Sequence, residues 1–141
     1  QEIMGWPPGS HASTFGGNPV SCRAAQATLE LLEGGLMDNA SKVGDYLLKG
    51  LKGLYKDHPI IGDVRGKGLM IGIELVKDRE TKERASRERD KIVRRAFEKG
   101  LLLLGCGRNS IRFAPPLIIT RKEADTALTV LEEVLGEVVL H

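Results

Sequence analysis

In the run His11-Ala-Ser-Thr-Phe-Gly-Gly-Asn-Pro19, the Thr14 hydroxyl and the glycines Gly16 and Gly17 stand directly before a helix start at Asn18-Pro19. Asn18 is a favoured N-cap, and Pro19, with its fixed φ and no N–H to leave unpaired, suits the first helical position. Glycines let a backbone come close to a ligand, and first-turn amides with the helix dipole favour an anion such as a phosphate. Taken locally, the same residues also read as a plain turn feeding a capped helix, and the local pattern alone favours the turn. A second chemical group is Arg112, flanked by Ile111 and Phe113. A guanidinium among apolar neighbours needs a carboxylate, supplied either by a structural ion-pair partner or by a ligand, and its planar fork grips one bidentately.

Other candidate motifs fall away. Gly62-Asp-Val-Arg-Gly-Lys67 is one residue short of a nucleotide phosphate loop and lacks the following Ser or Thr that would meet magnesium. Gly105-Cys-Gly107 opens like a dinucleotide fingerprint, but Ser110 stands where the third glycine belongs, so it reads as a tight turn. The charges between Lys77 and Arg95 interleave both signs without aromatic residues, the pattern of a solvated helix face rather than a nucleic-acid surface. Cys22 and Cys106 are far apart and His11, His58 and His141 are scattered, so no metal site is expected. Free, buried thiols in a reducing cytoplasm are the reading of the two cysteines.

The elements that must position Thr14 and Arg112 follow from periodicity. Residues 1 to about 18 read as irregular, with Trp6-Pro7-Pro8-Gly9 resisting regular structure. A first helix carries Val20, Ala24, Ala27 and Leu31 on one stripe and runs to about Glu33, where Gly34-Gly35 provides a stop. A second spans Met37 to Lys56 on Val43, Leu47, Leu51 and Leu54, although Gly44, Gly50 and Gly53 weaken its interior, and Pro59 closes it. Leu69, Ile71, Ile73 and Leu75 alternate as the strongest strand, and Arg65 to Glu74 is assigned to structure. A surface helix with Ile92, Val93, Ala96 and Phe97 on its apolar edge ends at Gly100. Leu101 to Leu104 and Ser110 to Phe113 read as short strands around a Gly105-to-Gly107 turn. Thr120-Arg-Lys-Glu123 has capping-box spacing, and Ala124, Leu128, Leu131, Leu135 and Val138 continue a last helix. The order predicts an α/β layer: a short, mostly antiparallel sheet covered by helices on one face.

Composition adds boundaries. The chain has 141 residues, 41% hydrophobic and 28% charged, with a formal net charge of +2, an ordinary globular balance with no pull toward a polyanion. No apolar run is long enough to span a bilayer, and the polar start Gln1-Glu2 is unlike a signal peptide.

The segment around Thr14, together with Arg65-Gly-Lys-Gly-Leu-Met-Ile-Gly-Ile-Glu74 and Ile111-Arg-Phe-Ala-Pro-Pro-Leu117 in this order, resembles the class III aminotransferases. These are the pyridoxal-phosphate enzymes that include 4-aminobutyrate, ornithine and acetylornithine aminotransferases, and the likeness runs from Ser10 to the last helix. The resemblance implies that residues 1–35 end a large cofactor-binding domain and that residues 36–141 form the small C-terminal domain of a fold-type I enzyme. It also implies that Thr14 contacts the phosphate of the neighbouring subunit's pyridoxal 5'-phosphate and that Arg112 binds a substrate carboxylate, which requires a homodimer. The family's Schiff-base lysine lies upstream of this chain, so the piece alone is expected to be inactive without the N-terminal part of its own subunit. The implied reaction moves an amino group between an amino acid, best matched by 4-aminobutyrate, and a 2-oxo acid in the cytoplasm. Two alternatives stay open: an amino-acid racemase on the same fold and cofactor, and a non-catalytic binding or oligomerisation module.

Overall fold

The computed structural model describes residues 5–139, so Gln1, Glu2 and His141 lie outside the described residues. The chain forms two compact units, which divide between Gly34 and Gly35. The first carries helix α1, Pro19–Leu31, preceded by turns. Asn18 caps it as the sequence predicts, its side chain accepting from the Ser21 amide at 2.9 Å. The stripe of Val20, Ala24, Ala27 and Leu31 buries nothing, however, because every residue of α1 is exposed within the chain. The helix ends earlier than Glu33, and a π-helical turn, Leu32–Leu36, follows, broken at Gly35 with φ 132°.

The second unit runs α2 (Met37–Asp57), β1 (Ile61–Lys67), β2 (Met70–Leu75), α3 (Ser86–Glu98), β3 (Leu104–Cys106), β4 (Ser110–Phe113) and α4 (Arg121–Val139). Its four strands form one antiparallel sheet in the order β1-β2-β4-β3. Strand β2 alternates as its sequence predicts: Ile71, Ile73 and Leu75 are buried, while Met70 is exposed. Val64, Ile111 and Phe113 join them on the covered face. Helices α2 and α3 pack on the sheet and α4 packs on both helices. Leu47, Leu51, Ile92, Leu131 and Leu135 fill the space between at 0–1% exposure, so this unit holds one continuous core.

Three local expectations are corrected. Residues 61–67 form a strand, β1, that two glycines and the absence of alternation conceal in the sequence; a register shift between Ile61 and Asp63 marks the irregularity. It joins β2 through a two-residue turn at Gly68-Leu69, where Gly68 takes φ 54° as tight hairpins require. The strand expected over Leu101 to Leu104 begins only at Leu104, and Gly105 and Cys106 belong to it, so the turn falls at Gly107 to Asn109. The cysteines are less buried than expected: Cys22 is exposed and Cys106 half-buried. The capping box at α4 is as predicted, with Thr120 donating its amide to Glu123 at 2.8 Å and Glu123 returning its own to the Thr120 hydroxyl at 3.3 Å. The Thr120 amide, and the Thr120 hydroxyl donating to the same oxygen at 2.8 Å, hold the Glu123 carboxyl below its ordinary range.

Candidate functional site

In the first unit, Thr14 lies in the turn before α1, exposed, and its hydroxyl makes no hydrogen bond among the described residues. The turn is built locally. Gly16 donates its amide to Ser13 at 3.2 Å, and Asn18 donates its side-chain amide to the Phe15 carbonyl at 3.1 Å while capping α1. Gly17 takes φ 78°, a conformation that favours glycine. Residues 5–29 contain no Asp or Glu. A free hydroxyl, a glycine-lined backbone and a capped helix N-terminus, with no carboxylate in the segment, form a donor set suited to a phosphate monoester.

In the second unit, Arg112 sits on β4 between the buried Ile111 and Phe113 and points to the sheet face that no helix of this unit covers. Its cross-strand neighbours are Gly72 on β2 and Leu104 on the edge strand β3. Beyond Gly72 in the same row lies Arg65 on β1. The two arginines are thus two strand spacings, about 10 Å, apart in the backbone, yet their surroundings differ. Arg65 is neutralised by Asp63 at 2.6 Å and Glu74 at 3.2 Å, and those hydrogen bonds raise its pKa. Glu74 also accepts from Asn109 at 3.4 Å, so both belong to the framework, as the sequence reading assigned them. Arg112 has no ion pair and donates no side-chain hydrogen bond to any described residue. Among the described residues the structural ion-pair reading of this arginine therefore finds no partner.

Arg112 also lines a cavity of about 410 Å³ that the sequence reading missed. Leu102, Leu104, Pro115, Pro116 and Ile119 contribute to its walls, with Arg112 and Glu123 its charged lining residues among those described. The signal was present as two separate apolar stretches, Leu101 to Leu104 and Ala114 to Ile119, and only the β3–β4 pairing brings them together. Thr14 and Arg112 belong to different units, each described by itself. Among the described residues no group of three or more His, Cys, Asp or Glu could hold a metal, and no helix is long and apolar enough to cross a membrane.

The comparisons with known proteins agree with one another. A family model described as aminotransferase class-III matches residues 1–135. Curated relatives include a leucine/methionine racemase of Thermococcus litoralis, 48% identical over 97% of this chain and 31% of the relative. Another is an acetylornithine aminotransferase of Caldanaerobacter subterraneus, 45% identical over 93% of this chain and 31% of the relative. Among solved structures, an amine transaminase from an uncultivated Pseudomonas species in its PLP-bound form superposes with a TM-score of 0.83 at 38% identity, covering 91% of this chain and 30% of that one. The chain spans about a third of the length of the curated relatives it matches.

Proposed function

From the premise that the chain belongs to the class-III aminotransferases, we propose that it is the C-terminal part of a cytoplasmic, homodimeric, pyridoxal-phosphate-dependent enzyme. That enzyme transfers an amino group between an amino acid and a 2-oxo acid. Residues 1–35 end its large domain, and residues 36–141 form its small domain. Pyridoxal phosphate, when bound, would supply the aldehyde and the electron-accepting ring that amino-group exchange requires. This chain's own residues bind and orient. Thr14 and the neighbouring backbone amides hold the phosphate of the partner subunit's cofactor. Arg112 grips the substrate carboxylate with two parallel hydrogen bonds, fixing the amine in one direction and exchanging a bimolecular search for a set geometry. The covalent step is assigned to a lysine of the family that these 141 residues do not supply.

The observation that carries this reading is the unpaired Arg112 guanidinium on the open sheet face, set beside its fully paired neighbour Arg65. A second reading, racemisation on the same cofactor, is favoured by the relative at 48% identity that bears a racemase name. Purified full-length enzyme with pyridoxal phosphate separates them. Incubated with an L-amino acid or 4-aminobutyrate and 2-oxoglutarate, it is expected to release the donor's oxo or semialdehyde product in step with glutamate. Formation of the D-enantiomer from an L-amino acid without release of oxo acid would establish the racemase instead.

A further inference from the structure

The cavity beside Arg112 has a chemistry that narrows the substrate. We infer that it receives the aliphatic side chain of an α-amino acid whose carboxylate Arg112 holds, so that apolar α-amino acids are the preferred substrates. This rests on the role given to Arg112 above. At about 410 Å³ the cavity falls in the range of small-ligand sites. Its lining is mostly leucine, proline and other apolar residues, and Leu104 stands directly across from Arg112 in the strand register. Leu102 and Leu104 are 74% and 54% exposed in this chain and present apolar surface at the cavity.

Charge decides the rest. Of the two charged groups in the lining, Glu123 is committed to capping α4, accepting both the amide and the hydroxyl of Thr120 at 2.8 Å on one oxygen. Arg112 is the one cation of the lining and has no ion-pair partner among the described residues. A molecule with one carboxylate at one end and hydrocarbon at the other satisfies both parts. A second carboxylate on the side chain would be desolvated against leucine and proline. 4-Aminobutyrate has no side chain at all to fill the space.

The test uses the full-length enzyme loaded with pyridoxal phosphate, comparing kcat/KM for leucine, methionine, alanine, ornithine and 4-aminobutyrate. Leucine and methionine are expected to exceed alanine by ~10-fold or more, the usual discrimination of an apolar pocket per added carbon or two. Leu104→Ser, a change at a half-exposed position that leaves the core intact, is expected to lower the leucine-to-alanine ratio by about the same factor. A wild-type enzyme that prefers ornithine or 4-aminobutyrate, or a leucine-to-alanine ratio unmoved by Leu104→Ser, would overturn the inference while leaving amino-group transfer intact. Undiminished kcat/KM for carboxylate substrates in Arg112→Ala would remove the role of Arg112 beneath it, and the inference with it.

Discussion

A single missing side chain explains how α2 and the sheet meet. A Cβ placed on Gly44 would lie 2.2 Å from the main chain of Gly68, at the tip of the β1–β2 hairpin, and backbone cannot step aside as a flexible side chain can. The glycine that lowers helix propensity in the sequence is therefore the contact that lets the hairpin dock. Gly53, in the same helix, meets nothing within 4 Å. Gly44→Ala is expected to destabilise the fold by about 1–3 kcal/mol, through strain at the contact. Gly53→Ala should stabilise it by about 0.5–1 kcal/mol through helix propensity. Urea unfolding of both variants measures the contrast, and equal shifts would refute the docking account. The sequence reading saw both glycines as equivalent weak points, because propensity counts a residue and not what lies against it.

At the scale of elements, the legible parts were those whose pattern is local. Strand β2, helices α2 and α4 and the Thr120–Glu123 capping box follow from spacing alone, since burial on one face is written directly into i, i+2 or i, i+3, i+4 positions. Strand β1 was not legible, because it is held by its register with β2 rather than by its own hydrophobic pattern: only Ile61 and Val64 are buried. Leu101 to Leu104 read as a strand, but β3 takes up only Leu104, and Leu102 and Leu104 are exposed and line the cavity. Long-range ties were equally hidden. Arg79, in the loop after β2, donates to the carbonyls of Tyr55, His58 and Ile61 and lies 4.0 Å over the Tyr55 ring, closing the C-terminal end of α2. Arg79→Ala leaves those carbonyls without their fork and is expected to cost about 1–3 kcal/mol. Arg79→Lys should recover little, because an ammonium cannot span three acceptors and stack. Thermal unfolding of the two variants measures this.

Helices α3 and α4 are tied by charge. Glu137 accepts from Arg95 at 2.6 Å and pairs with Lys99 at 2.9 Å, and those bonds push its carboxyl down to about 2. A carboxyl held lower in the folded state than in the unfolded one favours folding above its ordinary range, and that contribution disappears as pH falls toward about 2. The melting temperature is therefore expected to fall on acidification below about pH 5, less steeply in Glu137→Gln, with the two proteins converging near the bottom of that window. Because the pair is solvent-exposed, added salt should shrink the difference. A difference that persists unchanged to pH 2 or in high salt would contradict the assignment.

For the whole molecule, the family and the fold class were readable because three separated segments carry them together, while the roles proposed for Thr14 and Arg112 rest on surfaces exposed in this chain. Phe15 is 83% exposed and Val20 80% exposed, and α1 buries no residue. Apolar surface of this kind is the mark of a contact face. The isolated 141 residues should accordingly bind a hydrophobic dye, and a fluorescence titration showing no uptake would count against an interface there. The most direct test of the central claim mixes two impaired forms of the full-length enzyme. If the Thr14 hydroxyl reaches the partner's cofactor while Arg112 serves its own subunit's site, a dimer of one Thr14→Ala and one Arg112→Ala subunit contains one site with both residues intact. Refolding or exchanging equal amounts of the two at limiting pyridoxal phosphate should then recover about a quarter of wild-type amino-transfer activity, the share expected from random pairing in a two-fold dimer. Activity no higher than the average of the two parents would contradict a site shared between subunits in this way.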